Sequence, residues 1–266
     1  KYMCDNQGPE QVKNVKCIAV DGTTATLSWS DVSDDDISYF VVECKQSDGV
    51  WKSVSRTSTN LGVNLSGLTP EHDYVYRVIG YDKRSNRGTP SEEITVTTLK
   101  DTICPKVTKI TPDPGYFKSE INLRFTAEDD YRVKSIEIQT STDKESWKTV
   151  SEIKATGESA KCTFDCKLDL KNYEEGSVFV RAKVYDSYGN VTEDKDLTCY
   201  EYVVDRTAPI QPTGVTASSG ETEGGSSFVN ISWNAITDDN SFAYYRVYKS
   251  NSADGEFTLL KNNVKT

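Results

Sequence analysis

The side chains of this 266-residue chain that could do chemistry are carboxylates, thiols and one imidazole. The acids gather in short segments: Asp34-Asp35-Asp36, Asp129-Asp130, Asp186-Ser-Tyr-Gly-Asn190 and Thr237-Asp238-Asp239. Asp101 and Asp205 open two Pro-containing segments, Asp101-Thr-Ile-Cys-Pro105 and Asp205-Arg-Thr-Ala-Pro209. Hard carboxylate oxygens brought together suit Ca²⁺, which takes about 6–8 oxygen ligands at about 2.3–2.6 Å. Asp and Asn also favour turns with no ion involved, because their side chains bond their own backbone. The EF-hand spacing is absent.

Nucleophilic catalysis of the Ser-His-Asp or Cys-His kind would need His72, the single His, as its base. His72 stands beside Asp73 in Leu-Thr-Pro-Glu-His-Asp, where a solvated turn is the plainer reading. Counting acids does not exclude a glycosidase-type carboxylate pair, but these acids lie in loops and no aromatic-lined groove is evident. GxGxxG, P-loop and HExxH patterns are absent. The chain therefore reads as no enzyme, with no cofactor other than calcium.

Seven Cys is an odd number, so at least one has no partner within the chain. Cys162 and Cys166 share an apparent strand with Phe164 and Leu168. Four strand residues span roughly 13 Å, against a limit of roughly 7 Å between bridged Cα atoms. That pair reads as small core hydrophobes. Cys104 and Cys199 lie near the two ends of the middle segment and could meet. No CxxC is present, which argues against zinc. Lys and Arg number 31 against 41 Asp and Glu, a net charge of −10. That disfavours nucleic acid, whose affinity comes from neutralised phosphates, and anionic membrane surfaces. No apolar run approaches about 18 residues, so direct membrane insertion by a helix is not expected. The chain opens with Lys1 and has one Met, as a processed product or fragment would.

The elements that must position these groups alternate with a period of two. From Leu68 to Asp82 a turn, Leu68-x-Pro70-x-x-x-Tyr74, leads into a run with Tyr74, Tyr76, Val78 and Gly80 on one face and Val75, Arg77, Ile79 and Tyr81 on the other. A Tyr at such a corner bonds its hydroxyl back to the upstream backbone. Before it, Val15/Cys17/Ala19, Ala25/Leu27/Trp29, Phe40/Val42/Cys44, Trp51/Val54 and Leu61/Val63/Leu65 mark strands; Ile94/Val96/Thr98 follow. Residues 1–9 read as a polar leader. About seven strands in roughly 100 residues is a sandwich pattern. With Trp29, the Leu68/Pro70/Tyr74 corner and Thr97-Thr98, residues 1–100 resemble a fibronectin type III domain.

In residues 101–206, Ile121/Leu123/Phe125, Val133/Ile136/Ile138, Trp147, Cys162 to Leu170, Val178/Val180/Ala182/Val184 and Tyr200 to Val204 suggest strands, with Ala127-Glu-Asp-Asp130 as a loop. The Asp-x-x-Gly-Asn190 loop and the Asp205-Arg-Thr-Ala-Pro209 exit resemble Ig-like modules of bacterial surface proteins. Residues 207–266 repeat the first unit: Pro212 to Ala217 resembles its first strand, Ile231-Ser-Trp233 matches Leu27-Ser-Trp29, Thr237-Asp238-Asp239 matches Ser33-Asp34-Asp35, and Tyr245 and Val247 match Phe40 and Val42. No second Leu-x-Pro-x-x-x-Tyr corner follows before Thr266, so this third sandwich is expected to be incomplete and to bury no core, with the parent protein continuing beyond it.

The fold class is thus all-β, a tandem array of Ig-like and fibronectin type III-like sandwiches. That topology implies that Asp129, Asp130 and Asp186 converge near Asp101, as a junctional calcium site, and that Asp238 and Asp239 approach Asp205. Asn86-Arg-Gly-Thr89 occupies the loop that carries Arg-Gly-Asp in integrin-binding relatives, but Thr89 lacks the carboxylate, and a flexible turn is the better reading. Sequons at Asn64, Asn190 and Asn230 matter only in a glycosylating host. Tyr39, Tyr81 and Tyr248 could form a glycan or protein contact patch, or simply pack on a sheet. The resemblance implies extracellular or cell-surface spacer and adhesion modules, with a protein or glycan partner and the rest of the parent chain as neighbours. The alternative is an accessory region of a secreted hydrolase or repeat-rich toxin.

Overall fold

A computed structural model of the chain describes residues 6–237 and 239–265. Two compact units result: Lys1–Asp113 with Asn122–Lys167 and Val180–Tyr200, and Pro114–Ile121 with Leu168–Phe179 and Glu201–Thr266.

The first unit begins with β1 (Lys16–Val20), β2 (Thr24–Ser28), β3 (Ile37–Lys45), β4 (Trp51–Thr57), β5 (Gly62–Ser66), β6 (Asp73–Asp82) and β7 (Ile94–Thr97). They form two antiparallel sheets, β1-β2-β5 and β4-β3-β6-β7. Alternation sends one face of each sheet inward. Ala25, Leu27, Phe40, Val42, Tyr76, Val78 and Val96 share one buried core. Trp29 packs edge-on to Phe40, centroids 5.6 Å apart at 62°. The corner forms as the spacing predicts: the Thr69 N–H donates to the Tyr74 hydroxyl at 2.8 Å.

The polar leader needs correcting over its described part. Pro9 is buried, and a Cβ on Gly8 would lie 2.3 Å from the Arg87 carbonyl oxygen. Val12, 1% exposed, belongs to the core. The segment packs against the β6 end because Gly80 and Gly88 leave room for Pro9.

Next come β8 (Lys106–Thr111), β9 (Tyr116–Phe117), β10 (Glu120–Ser141), β11 (Lys148–Asp169), β12 (Gly176–Asp186) and β13 (Tyr200–Val204). In the first unit β10 lies between β11 and β12 and also pairs with β8. In the second, β13 lies between β12 and β9 and runs parallel to β9. The expected loop Ala127-Glu-Asp-Asp130 is instead inside β10. Its bend is real: Asp129 Oδ2 accepts the N–H groups of Tyr131 and Arg132 at 3.2 and 3.0 Å. The buried phase shifts beyond it, between Val133, still in phase with Leu123, Phe125 and Ala127, and Ile136 with Ile138. The ladder survives the bend, so the strand does not end.

The second unit closes with β14 (Thr216–Glu221), β15 (Ser227–Ser232), β16 (Tyr245–Lys249) and β17 (Thr258–Val264), paired as two two-stranded antiparallel sheets. The internal repeat holds in three dimensions: Trp233 meets Tyr245 at 5.1 Å and 63°, as Trp29 meets Phe40. Val229, Phe257, Leu259 and Leu260 are exposed, since two strand pairs cannot enclose a core. Among the described residues no helix is long and apolar enough to cross a membrane.

Candidate metal centre

The segment after β7 is held down before it reaches Asp101. The Leu99 N–H donates to the Asp21 carbonyl at 3.0 Å. Gly22 lets the backbone come close, for a Cβ there would lie 3.1 Å from Asp101 Cα. Asp101 is 1% exposed as a result. Asp129 comes from the bend in β10 and Asp186 from the last position of β12. Carboxylate oxygens of Asp101, Asp129 and Asp186 lie within 4.8 Å of one another.

Asp186, fully buried, is held on both oxygens. Its Oδ1 accepts the N–H groups of Tyr188 and Asn190, each at 2.8 Å, and its Oδ2 accepts Asn190 Nδ2 at 2.6 Å. Gly189, at φ 91°, supplies the left-handed turn this loop needs. Asn190 Nδ2 also donates to the Asp101 carbonyl at 3.2 Å; this sequon nitrogen is already engaged. Asp101 Oδ1 accepts the Ile103 N–H at 2.9 Å. Two buried oxygens remain, Asp101 Oδ2 and Asp129 Oδ1, and no hydrogen-bond partner reaches either among the described residues. Burial, then repulsion from Asp130, Asp101 and Asp186, pushes Asp129 up to about 6. Burial, with Asp130, Asp186 and Asp21 adding repulsion, also raises Asp101. Three acids with two unanswered oxygens make a concentrated negative pocket.

Of the four acids expected to converge, Asp130 does not join the cluster. Its Oδ2 accepts the Thr23 hydroxyl at 2.8 Å. Asp205 and Asp239 line one cleft of the second unit, but each is spent on a turn, Asp205 on the Thr207 N–H and Asp239 on Ser241. Asp238 lies outside the described residues. His72 is exposed and packs edge-on to Tyr74 at 4.8 Å. Arg87 is no flexible tip: it pairs with Glu43 at 3.4 Å, and the Gly88 N–H donates to the Gly80 carbonyl at 2.9 Å. Tyr39 and Tyr81 stack at 4.8 Å with Arg56 over Tyr39, which covers faces a sugar would use. Cys104 is a free thiol, so it forms no bridge to Cys199. Cys166 is buried as expected, whereas Cys162 is only half-buried.

A recurrence went unread in the sequence. Asp82 and Asn86 repeat the Asp186–Asn190 loop: Asp82 Oδ1 accepts the Arg84 and Asn86 N–H groups at 2.8 Å, and Oδ2 accepts Asn86 Nδ2 at 2.7 Å. The Asp-x-x-x-Asn spacing after each long alternating strand was the available signal. Nothing in the sequence announced the Thr23 contact.

Two sheets of three and four antiparallel strands with a tyrosine corner define a fibronectin type III-like sandwich. Residues 10–97 match the Fibronectin type III domain family. Among solved structures, the chain is similar to a fibronectin type III domain of human fibronectin type III domain containing protein 3, at 25% identity over 37% of this chain and 93% of that one, TM-score 0.33. It is also similar to the FN1-FN3 domains of chicken CNTN1, at 16% identity over 95% and 85%, TM-score 0.41. A third is the fibronectin type III domain from human KIAA0970 protein, at 26% identity over 33% and 72%, TM-score 0.30.

Proposed function

We propose that the chain is a non-catalytic structural array from a secreted or surface-exposed protein, spacing other parts of its parent and presenting loops to a protein or glycan partner. Its modules on this reading are 1–100, 101–206 and 207–266. One observation carries it: the seam around Asp101 is built from both flanking sets of strands. The Tyr188 hydroxyl donates to the Pro70 carbonyl at 3.1 Å, Tyr131 to Thr69 Oγ1 at 3.4 Å, and Thr23 to Asp130 at 2.8 Å. A short Pro-containing linker bonded on both sides restricts angles, which is what a spacer requires and a swivelling tether does not.

Residual dipolar couplings on the full chain test this. Amides of 10–97 and of 122–167 should fit one alignment tensor. Two independent tensors would overturn the spacer reading. Antibodies against the chain should label intact cells of its source; labelling only after permeabilisation would overturn the surface location.

A further inference from the structure

We propose that Asp101, Asp129 and Asp186 form a calcium site that ties the segment after β7 to the bend in β10 and the end of β12. The inference goes beyond the spacer reading and stands on the cluster's own geometry, so it survives if that reading fails. Clustered acids alone would not carry it, since solvated acidic loops are common. Here, however, Asp101, one of the three acids of the cluster, is 1% exposed, and its Oδ2 has no hydrogen-bond partner among the described residues. Asp129 Oδ1 is in the same condition. A buried carboxylate oxygen left unanswered carries a desolvation cost that a protein normally offsets with a donor or a cation. Nearby donors are already committed: the Asn190 amide and the loop N–H groups serve Asp186, the Ile103 N–H serves Asp101 Oδ1, and the Tyr131 and Arg132 N–H groups serve Asp129 Oδ2. A cation is the partner that answers both open oxygens at once.

The donor set decides which cation. All are hard carboxylate oxygens, with no His or Cys in the cluster, which disfavours zinc and copper. Opposite ligands of one Ca²⁺ stand about 4.8 Å apart, whereas the Mg²⁺ shell allows only about 4.2 Å. Oxygens within 4.8 Å of one another can therefore meet Ca²⁺ where they stand. Three side chains leave most of a shell of about 6–8 to water, which points to the weak end of calcium affinities, about 10⁻⁴–10⁻³ M.

The test is calorimetric titration of CaCl₂ into the chelator-treated full chain, with circular dichroism confirming the fold of each variant. The wild type should bind one ion in that range. Asp101→Asn and Asp129→Asn should each weaken binding at least tenfold, while Asp165→Asn, which alters an exposed acid paired with Arg124, should bind like the wild type. No binding up to about 10 mM, ten times the weakest of those constants, would overturn the site. So would unchanged affinity in folded Asp101→Asn and Asp129→Asn, and MgCl₂ binding as tightly as CaCl₂ would overturn the assignment to calcium.

Discussion

Replacing Asp129 with Asn should stabilise the chain in chelator and blunt its response to calcium, two effects of opposite sign from one atom. Asp129 Oδ2 serves the Tyr131 and Arg132 N–H groups, and an amide oxygen can take over that duty. The amide nitrogen then occupies the position of Oδ1, the oxygen with no donor, and offers two N–H groups to the Asp101 and Asp186 carboxylates. Their oxygens are at most 4.8 Å away. At that separation two full charges repel by roughly 0.9 kcal/mol in water and roughly 3.5 kcal/mol at an effective dielectric of about 20. Asp129 is partly exposed, so solvent screening keeps the gain toward the lower figure, about 1–2 kcal/mol. In a unit of 150–250 residues each kcal/mol moves Tm by about 2–4 °C, so the variant should melt roughly 2–8 °C above the wild type in chelator. Calcium at about 100 times the wild-type Kd should add about 2.7 kcal/mol to the wild type and at most about 1.4 kcal/mol to a variant that binds at least tenfold more weakly, which closes or reverses the gap. Differential scanning calorimetry with EDTA and with CaCl₂ reads both effects. A variant that melts lower in EDTA, or that keeps the full calcium-induced rise of the wild type, would refute the charge-repulsion account of this cluster.

Tyr74→Phe removes the acceptor of the Thr69 N–H and should cost about 1–2 kcal/mol in urea unfolding, with the native circular dichroism spectrum kept. The Thr149 hydroxyl, the Gln139 amide and the Tyr185 hydroxyl all donate to Glu137 and hold its carboxyl below the usual range. Its stabilisation is therefore present above the unfolded value, about 4.3, and is lost as pH falls through the lower folded value; Glu137→Gln should show a shallower fall in Tm between neutral and acid pH. Burial raises all four thiols, Cys44, Cys104, Cys162 and Cys166, but Cys44 and Cys166 are buried while Cys104 and Cys162 are half-exposed. Native N-ethylmaleimide labelling mapped by mass spectrometry should modify the second pair first.

Much of the strand layout was legible because a half-buried strand writes itself as alternation. Leu27, Phe40, Val42, Tyr76 and Val78 were each in the correct phase, and the Leu68/Pro70/Tyr74 spacing located a corner whose hydrogen bond is local, five residues long. Where alternation faltered the reading did too. The acidic run Ala127 to Asp130 looked like a loop, though the ladder carries β10 through it. Gly8 and Pro9 looked like a leader because their packing depends on Gly80, Arg87 and Gly88, distant in sequence.

By itself the sequence determined which residues alternate, where the chain turns, and that Trp233 with Tyr245 repeats Trp29 with Phe40. These are properties of neighbours within a few residues, or of one stretch copied into another. It also nominated four acids for one end of a sandwich. Only the tertiary structure decided that Asp101, Asp129 and Asp186 meet while Asp130 turns to Thr23. That choice depends on contacts between groups up to about a hundred residues apart, and no periodicity records them. It also decided which oxygens are left without a donor. Composition counts carboxylates, but only a folded backbone, by spending its N–H groups on some of their oxygens, decides which ones a cation could still serve.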